Sequence, residues 1–322
     1  MNRYRYCGLT LAADLPLPEL SELPSVAPDS APDLEIRIGP VPETLSEETR
    51  RTATFAHNGR EALWWLEGIG RFHVDACGRH ITLAPAPDAD VDSLRLMLLQ
   101  PVFALASVLR GDWLLNAAAV ARDGQVSAFI GPSASGKSTA AALLVQQGYT
   151  LVSDGLLRLT RDETGRFLAH PQAPWLQRWP GSRKRLELAD SDHPPVRPGL
   201  ALQRVPQPLS ERPLPLARLG LLREQRGNDL EDFVPSRRPG ARGFETLLQH
   251  TAGSTWLDDL AERRALFQWG AALTAQTRIE RLEVPWGWGR LEALAEALLA
   301  WSRPHDGDGD ATSLVPRGSE DG

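Results

Sequence analysis

The stretch FIGPSASGKSTAAALLVQQGYTLVSDG, residues 129–155, decides the fold. Within it, Gly131 to Ser138 satisfy G-x-x-x-x-G-K-[ST], a loop whose backbone N–H groups turn inward and meet the positive end of the helix that follows. Such a cradle holds the oxygens of a di- or triphosphate. Gly136 lets the chain approach a ligand with no Cβ in the way. Lys137 is placed to reach the β and γ phosphates, and Ser138 to hold Mg²⁺ through its hydroxyl. The binding set read from the loop is Gly131, Ser133, Ala134, Ser135, Gly136, Lys137, Ser138 and Thr139. A Ser- and Gly-rich turn produces the same pattern by chance, so the flanks decide. The apolar run Val126 to Ile130 delivers the chain into the loop, and a run of good helix formers closed by Gly148 leaves it.

Outward from the loop, YTLVSD (149–154) reads as a second buried strand, so strand, loop, helix and strand follow one another as in a nucleotide-binding α/β domain. Asp154 at the end of that strand is a ligand for Mg²⁺, a base for an attacking hydroxyl, or the cap of a turn. Upstream, WLLNAAAVA (113–121) and QVSAFIG (125–131) are two apolar strands joined by Asp123-Gly124. A helix is predicted over 91–110. Its apolar stretch is broken by Arg95, Gln100 and Pro101, which favours a buried, kinked helix over a membrane span.

Residues 1–90 read as short strands and turns, with Phe72, Val74 and Ala76 alternating before Ile81 and Leu83 in a hairpin, giving a small β-rich N-terminal domain. Residues 91–303 form the α/β domain. Its Pro- and Arg-rich part (190–243) reads as extended excursions with one short strand, ARLGLLR (217–223). One helix is predicted across 257–276 with Leu260, Phe267 and Ala271 on a common face, then the strand RIERLEV, then a helix burying Leu291, Leu294 and Leu298. Residues 304–322 read as a linker carrying an appended thrombin site, LVPRGS (314–319). Asp306, Asp308 and Asp310 there read as solvated linker, since the glutamate that closes a calcium loop is missing.

Of the 322 residues 42% are hydrophobic and 24% charged, and the net charge is −6, so the chain should fold and lacks the basic excess of a general nucleic-acid binder. Cys7 and Cys77, the only cysteines, suit neither a disulfide scaffold nor a zinc site. A cytoplasmic protein, bound to neither nucleic acid nor membrane, is expected; a homo-oligomer is left open.

Several further residues carry the resemblance that follows: Gly8-Leu9 with Leu15-Pro16-Leu17-Pro18, Gly68 and Gly70, Asn116 to Val120, the phosphate loop, Ser153-Asp154, Gln177-Arg178-Trp179-Pro180 and Pro213 to Leu216. In this order, up to about residue 301, the chain resembles the HPr serine kinase family and its bacterial relatives, including kinases that modify lasso-peptide precursors. The resemblance implies a P-loop kinase core of the HPr kinase C-terminal type, using ATP and Mg²⁺ to phosphorylate a serine of a peptide or small protein. It implies catalytic roles for Asp154, Lys137, Arg178 and Asn116, and metal binding through Ser138 and Asp154. Asp154 matches the first of the family's paired aspartates, to which proton removal is assigned. The second aspartate of the pair is Gly155 here, and Asn116 stands where a histidine often opens the strand. Those departures keep open a nucleotide-binding pseudokinase or regulatory subunit. A kinase of small-molecule hydroxyls is a third reading, because the loop does not choose the acceptor.

Arg178 either neutralises charge on the moving phosphoryl group or stacks on Trp175 or Trp179. The run Arg183-Lys184-Arg185 either binds phosphate or an acidic substrate, or is a solvated face. His170 and His250 are candidate acids or bases, with His73 and His80 in the hairpin ranking lower; the ten tryptophans, Trp64-Trp65, Trp286 and Trp288 among them, read as packing residues or a peptide groove.

Overall fold

The computed structural model describes residues 1–21, 23, 26–27, 30–178, 180–188, 195–197, 200–224, 235–284 and 287–303. The thrombin-site tail with Asp306, Asp308 and Asp310, and also Trp179 and Trp286, lie outside them. The described chain is mixed α/β, with an eight-stranded N-terminal sheet, a seven-stranded central sheet and a three-stranded one.

The N-terminal strands are β1 (Asn2–Tyr6), β2 (Leu9–Ala13), β3 (Leu34–Ile38), β4 (Arg50–Arg51), β5 (Phe55–His57), β6 (Ala62–Leu66), β7 (Gly70–Val74) and β8 (His80–Pro85). They lie in the order β1-β2-β3-β8-β7-β6-β5-β4. β1 and β2 close through Cys7 and Gly8, with φ of 48° and 75°, two left-handed residues as a tight hairpin requires. Of the alternation expected of β7 and β8, Phe72, Val74, Ile81 and Leu83 are buried on one face, whereas Ala76 is exposed because β7 ends at Val74 and the chain turns. That face is covered by α1 (Val91–Met97) and α2 (Phe103–Arg110), whose Leu94, Phe103 and Leu105 share its core. Asp90 starts α1 by accepting the Ser93 N–H at 2.7 Å. Between the helices Leu98–Val102 winds as a π turn, which absorbs Pro101 and its missing N–H without breaking the helix. By length and composition Val91–Arg110 would cross a membrane, yet 61% of its most apolar window is buried against this sheet and its surroundings.

The chain then runs through β9 (Leu114–Arg122), β10 (Gln125–Ile130), α3 (Lys137–Gln146), β11 (Thr150–Arg161), β12 (Phe167–Ala169), β13 (Trp175–Arg178), α4 (Pro180–Arg185), β14 (Pro195–Arg197), β15 (Leu200–Pro206), β16 (Leu214–Glu224), β17 (Ser236–Arg237), α5 (Gly240–His250), α6 (Ser254–Leu260), α7 (Arg263–Gln276), β18 (Arg278–Val284) and α8 (Leu291–Ser302). β9 is antiparallel to β10 on one edge and to β11 on the other; β10 pairs β16 in parallel, and β16 pairs β18 likewise. Short β12 joins β11 to β16, so β11, β9, β10, β16 and β12 close into a ring. The continuous apolar run of β9 is what such a strand needs. Leu115, Ala117, Ala119 and Ala121 enter one core, while Ala118 and Val120 enter another beneath α3 and α8.

Three elements differ from expectation. β16 is an 11-residue central strand rather than a short one among excursions, because the two parallel partners hide both its edges. The long C-terminal helix is two: Glu262 accepts the N–H groups of Arg264 and Ala265 and starts α7 afresh after α6 ends. The break resets the helical phase, so Leu266, Gly270 and Leu273 are buried, whereas Phe267 is 61% exposed and meets Phe244 edge-on. Last, α5 (GARGFETLLQH) went unread because two glycines weaken its helical signal; Leu247 anchors it in the core.

Gly8 joins the N-terminal sheet to the central one. A Cβ there would lie 2.0 Å from His170 Nδ1, whereas at Gly59, also left-handed at 85°, it would meet nothing within 4 Å. Gly8→Ala should therefore cost on the order of 2 kcal/mol or more, and Gly59→Ala only about 1 kcal/mol, in denaturant unfolding. Equal losses would show that the contact with His170 is dispensable.

Candidate functional site

The register of β9 places the site. Ala118 pairs with Phe129 on one side and Asp154 on the other, and Ala117 pairs with Ile130 and Gly155. Asp154 therefore stands level with the end of β10, two strand spacings, about 10 Å, from the mouth of the loop. It does not end β11 as expected; the strand continues to Arg161, with a bulge between Leu151 and Ser153 and Gly155 at φ 142° just past the carboxylate.

The loop itself is bent at Gly131 (φ 154°), Ala134 (62°) and Gly136 (90°). A Cβ on Gly131 would lie 2.5 Å from Ser135 Oγ, so glycine is sterically required. Ala134 holds a left-handed conformation that costs an L-residue about 1–2 kcal/mol. α3 begins at Lys137, and its Nζ donates to the carbonyls of Gly131 and Pro132, both at 2.9 Å, strapping the two ends of the loop together. Burial lowers the Lys137 pKa, and the Asp154 carboxylate opposes that shift.

A cavity of about 510 Å³ is lined by Ser133, Ala134, Gly136, Lys137, Ser138 and Thr139 of the loop, and also by Ala117, Asp154, Gly155, Gln177 and Arg178. The structure thus brings together all the site residues read from the sequence except three. Gly131 contributes its carbonyl to Lys137. Ser135 lines a neighbouring cavity of about 670 Å³ with Arg223, Arg238 and Arg281, its Oγ buried without a hydrogen-bond partner among the described residues. Asn116 is exposed on β9 and is not among the lining residues.

Arg178 is the cation to which the site owes its character. Only 5% exposed, it has no hydrogen-bond partner for Nε or Nη2 among the described residues. Burial lowers its pKa, against the pull of Asp154. The alternative of stacking on Trp175 does not hold, since the guanidinium over that ring is Arg204, at 5.5 Å. A buried cation with unsatisfied donors is costly unless an anion meets it, so the donor set suits a polyphosphate. The Ser138 hydroxyl and Asp154 carboxylate in the same cavity are oxygen ligands of the kind Mg²⁺ takes.

Asp154 is held on two sides. Its Oδ2 accepts the Gln177 N–H at 3.0 Å, and its own N–H donates to Gln172 Oε1 at 3.2 Å. Gln172 Nε2 in turn donates to Tyr6 Oη, which donates to the Leu99 carbonyl. The N-terminal sheet is thereby hydrogen-bonded to the backbone of the catalytic candidate. Tyr6 and Gln172 went unread, and Gln177 was read only as part of a motif, because an isolated glutamine or tyrosine carries no signal of its role in the linear sequence.

Among the histidines, His250 lies near enough to Lys137 and Arg223 for their charges to add to burial in pushing its pKa down to about 4. His170 is likewise pushed down to about 4, by burial first and Arg158 next, and its Nε2 lies 2.8 Å from Thr160 Oγ1. Both are neutral near pH 7. His73 pairs with Glu61 and His80 with Asp75, in the N-terminal hairpins. Arg185 stacks on Trp288.

No protein-family model matches the chain, and no curated protein does. Among solved structures it is similar to the HPr(Ser) kinase/phosphatase from Coxiella burnetii, with 12% identity and a TM-score of 0.33 over 58% of this chain and 88% of that one. A likeness at that level is distant and establishes no activity.

Replacing the buried cation should trade function for stability. Arg178→Met is expected to stabilise the fold by roughly 1–3 kcal/mol in denaturant unfolding while weakening polyphosphate binding. Loss of stability instead would mean that the guanidinium is satisfied within the fold.

The depressed histidines set an acid limit. Each contributes stability that is complete above the unfolded value near 6.5 and is lost as pH falls toward about 4, with a slope of at most about 1.4 kcal/mol per pH unit per residue. Unfolding free energies between pH 7 and 4 should fall less steeply for His250→Gln and for His170→Gln than for the parent chain.

Proposed function

We propose that this protein is an ATP-dependent kinase that transfers the γ-phosphoryl group to a serine hydroxyl of a peptide or small protein. The observation that carries the reading is the convergence on one cavity of a GKS loop, the Asp154 carboxylate and the buried Arg178 guanidinium, whose Nε and Nη2 have no hydrogen-bond partner among the described residues. The serine acceptor rests on the resemblance of the sequence motifs to the HPr serine kinase family.

The roles follow from position. The loop N–H groups and the positive end of α3 bind the phosphate oxygens, and Lys137 exchanges its two loop carbonyls for them. Mg²⁺ held by Ser138 and Asp154 would supply charge neutralisation between the β and γ phosphates. Arg178 offsets the charge that spreads over the equatorial oxygens as the phosphoryl group moves. Asp154 is the carboxylate in the cavity that would take the serine proton, its Oδ2 oriented by the Gln177 N–H. The serine Oγ–P bond forms as the bond from Pγ to the bridging oxygen breaks, ADP departs, and the proton stays on Asp154 until solvent removes it.

A second reading is a nucleotide-binding regulatory subunit that performs no transfer. Gly155 supplies no second carboxylate, and Asn116 stays outside the cavity, so the proton route rests on one residue. Incubating the protein with Mg²⁺, ATP and serine-containing peptides separates the two by mass spectrometry. A kinase adds one phosphate to a peptide; Asp154→Asn lowers that rate about 10²- to 10⁴-fold with ATP affinity nearly kept. Lys137→Ala loses most ATP affinity while remaining folded. Tight ATP binding without transfer, and indifference to Asp154→Asn, would establish the regulatory reading.

A further inference from the structure

A second cavity, of about 270 Å³, opens beside the loop and is lined by Thr139, Gly287, Trp288, Leu291 and Leu294. Two of these, Thr139 and Trp288, also line the cavity that holds Asp154 and Lys137. The two spaces therefore border the same two side chains, at the start of α3 and at the turn that leads into α8. Their linings differ in kind. The first is built of loop backbone, hydroxyls, a carboxylate and two cations; the second presents an indole, two leucines and one hydroxyl.

We infer that this apolar slot receives the base of a purine nucleoside triphosphate, with Trp288 as its stacking surface, an inference that rests on the phosphate-loop reading above. A polyphosphate with its γ end at Lys137, Asp154 and Arg178 has its nucleoside end directed along the loop toward one of two spaces. The larger neighbouring cavity, past Ser133 to Ser135, is walled by Arg223, Arg238, Arg281, Glu224 and Glu283. A heteroaromatic ring there would desolvate charges, and among the described lining residues none offers a ring face to stack on. The slot at Trp288 offers the reverse: apolar walls, of which Leu294 is 1% exposed, and an indole at the rim.

Trp288 is 42% exposed, one of the few large apolar side chains of the described residues left so, and Arg185 stands 4.9 Å from its ring centroid. That cation–π contact orients the indole while the ring continues to line both cavities. At 270 Å³ the slot is below the ~300–1,000 Å³ usual for a whole ligand and suits a flat bicyclic ring; joined to the phosphate cavity it makes a nucleotide site. The slot's side chains offer few polar groups to read exocyclic ones, the Thr139 hydroxyl among them. Adenine and guanine should therefore be held alike, by stacking.

The experiment compares ligands with and without a base. Equilibrium binding of Mg-ATP, Mg-GTP and Mg-pyrophosphate is measured by calorimetry on the full chain and on Trp288→Ala and Trp288→Phe. The inference expects Trp288→Ala to weaken ATP and GTP alike, each roughly 10- to 100-fold, to leave pyrophosphate within about twofold, and to be largely rescued by Trp288→Phe. ATP affinity unchanged in Trp288→Ala, or pyrophosphate lost together with ATP, overturns the slot while the phosphate loop stands. Failure of the parent chain to bind ATP and pyrophosphate overturns the loop reading, and the slot with it.

Discussion

Strand β9 is hydrogen-bonded along both edges, to β10 and to β11, and that double pairing fixes where the loop and Asp154 stand relative to each other. The arrangement depends on a strand that tolerates burial on every side, and the small residues Ala117 to Ala119 provide it. A one-residue slip of β11 against β9 would turn Asp154 away from the cavity and bring Ser153 or Gly155 in its place. The antiparallel neighbours and the bulge between Leu151 and Ser153 hold the register.

Around that scaffold the site concentrates costs that the rest of the fold must offset. Lys137 is partly desolvated, Ala134 is left-handed, and among the described residues Arg178 Nε and Nη2 and Ser135 Oγ are buried without a hydrogen-bond partner. Each is unfavourable for folding and suited to meeting an anion with little rearrangement, since the donors are already oriented. The cores on both faces of the central sheet supply the compensation, with α3 and α8 on one face and α5 and α7 on the other.

The N-terminal sheet belongs to this economy of position. Its Tyr6 reaches Gln172, which holds the Asp154 N–H, and the buried Glu19, in the turn Pro18–Leu20 after β2, pairs with Arg95 of α1 and Arg204 of β15. α1 and α2 cover the sheet while the segment beyond them becomes β9, so the two parts of the chain share a core through Leu114 and Leu156. The backbone of Asp154 is thus tied, through Gln172, to Tyr6 near the start of the chain.

The sequence by itself determined the local features: the GKS loop, whose glycines are demanded by backbone angles; the apolar runs of β9 and β10; the alternation in β7 and β8; and the kink-prone helix around Pro101. These are legible because they depend on neighbours a few residues apart. Tertiary structure alone decided the rest. It made ARLGLLR the middle of an 11-residue central strand, split the C-terminal helix at Glu262, left Asn116 outside the cavity, brought Arg178 and Trp288 to the loop, and set Gln172 against the Asp154 backbone. The reason is that strand pairing joins residues far apart in sequence, and no local preference encodes which edges meet or which face a side chain then presents.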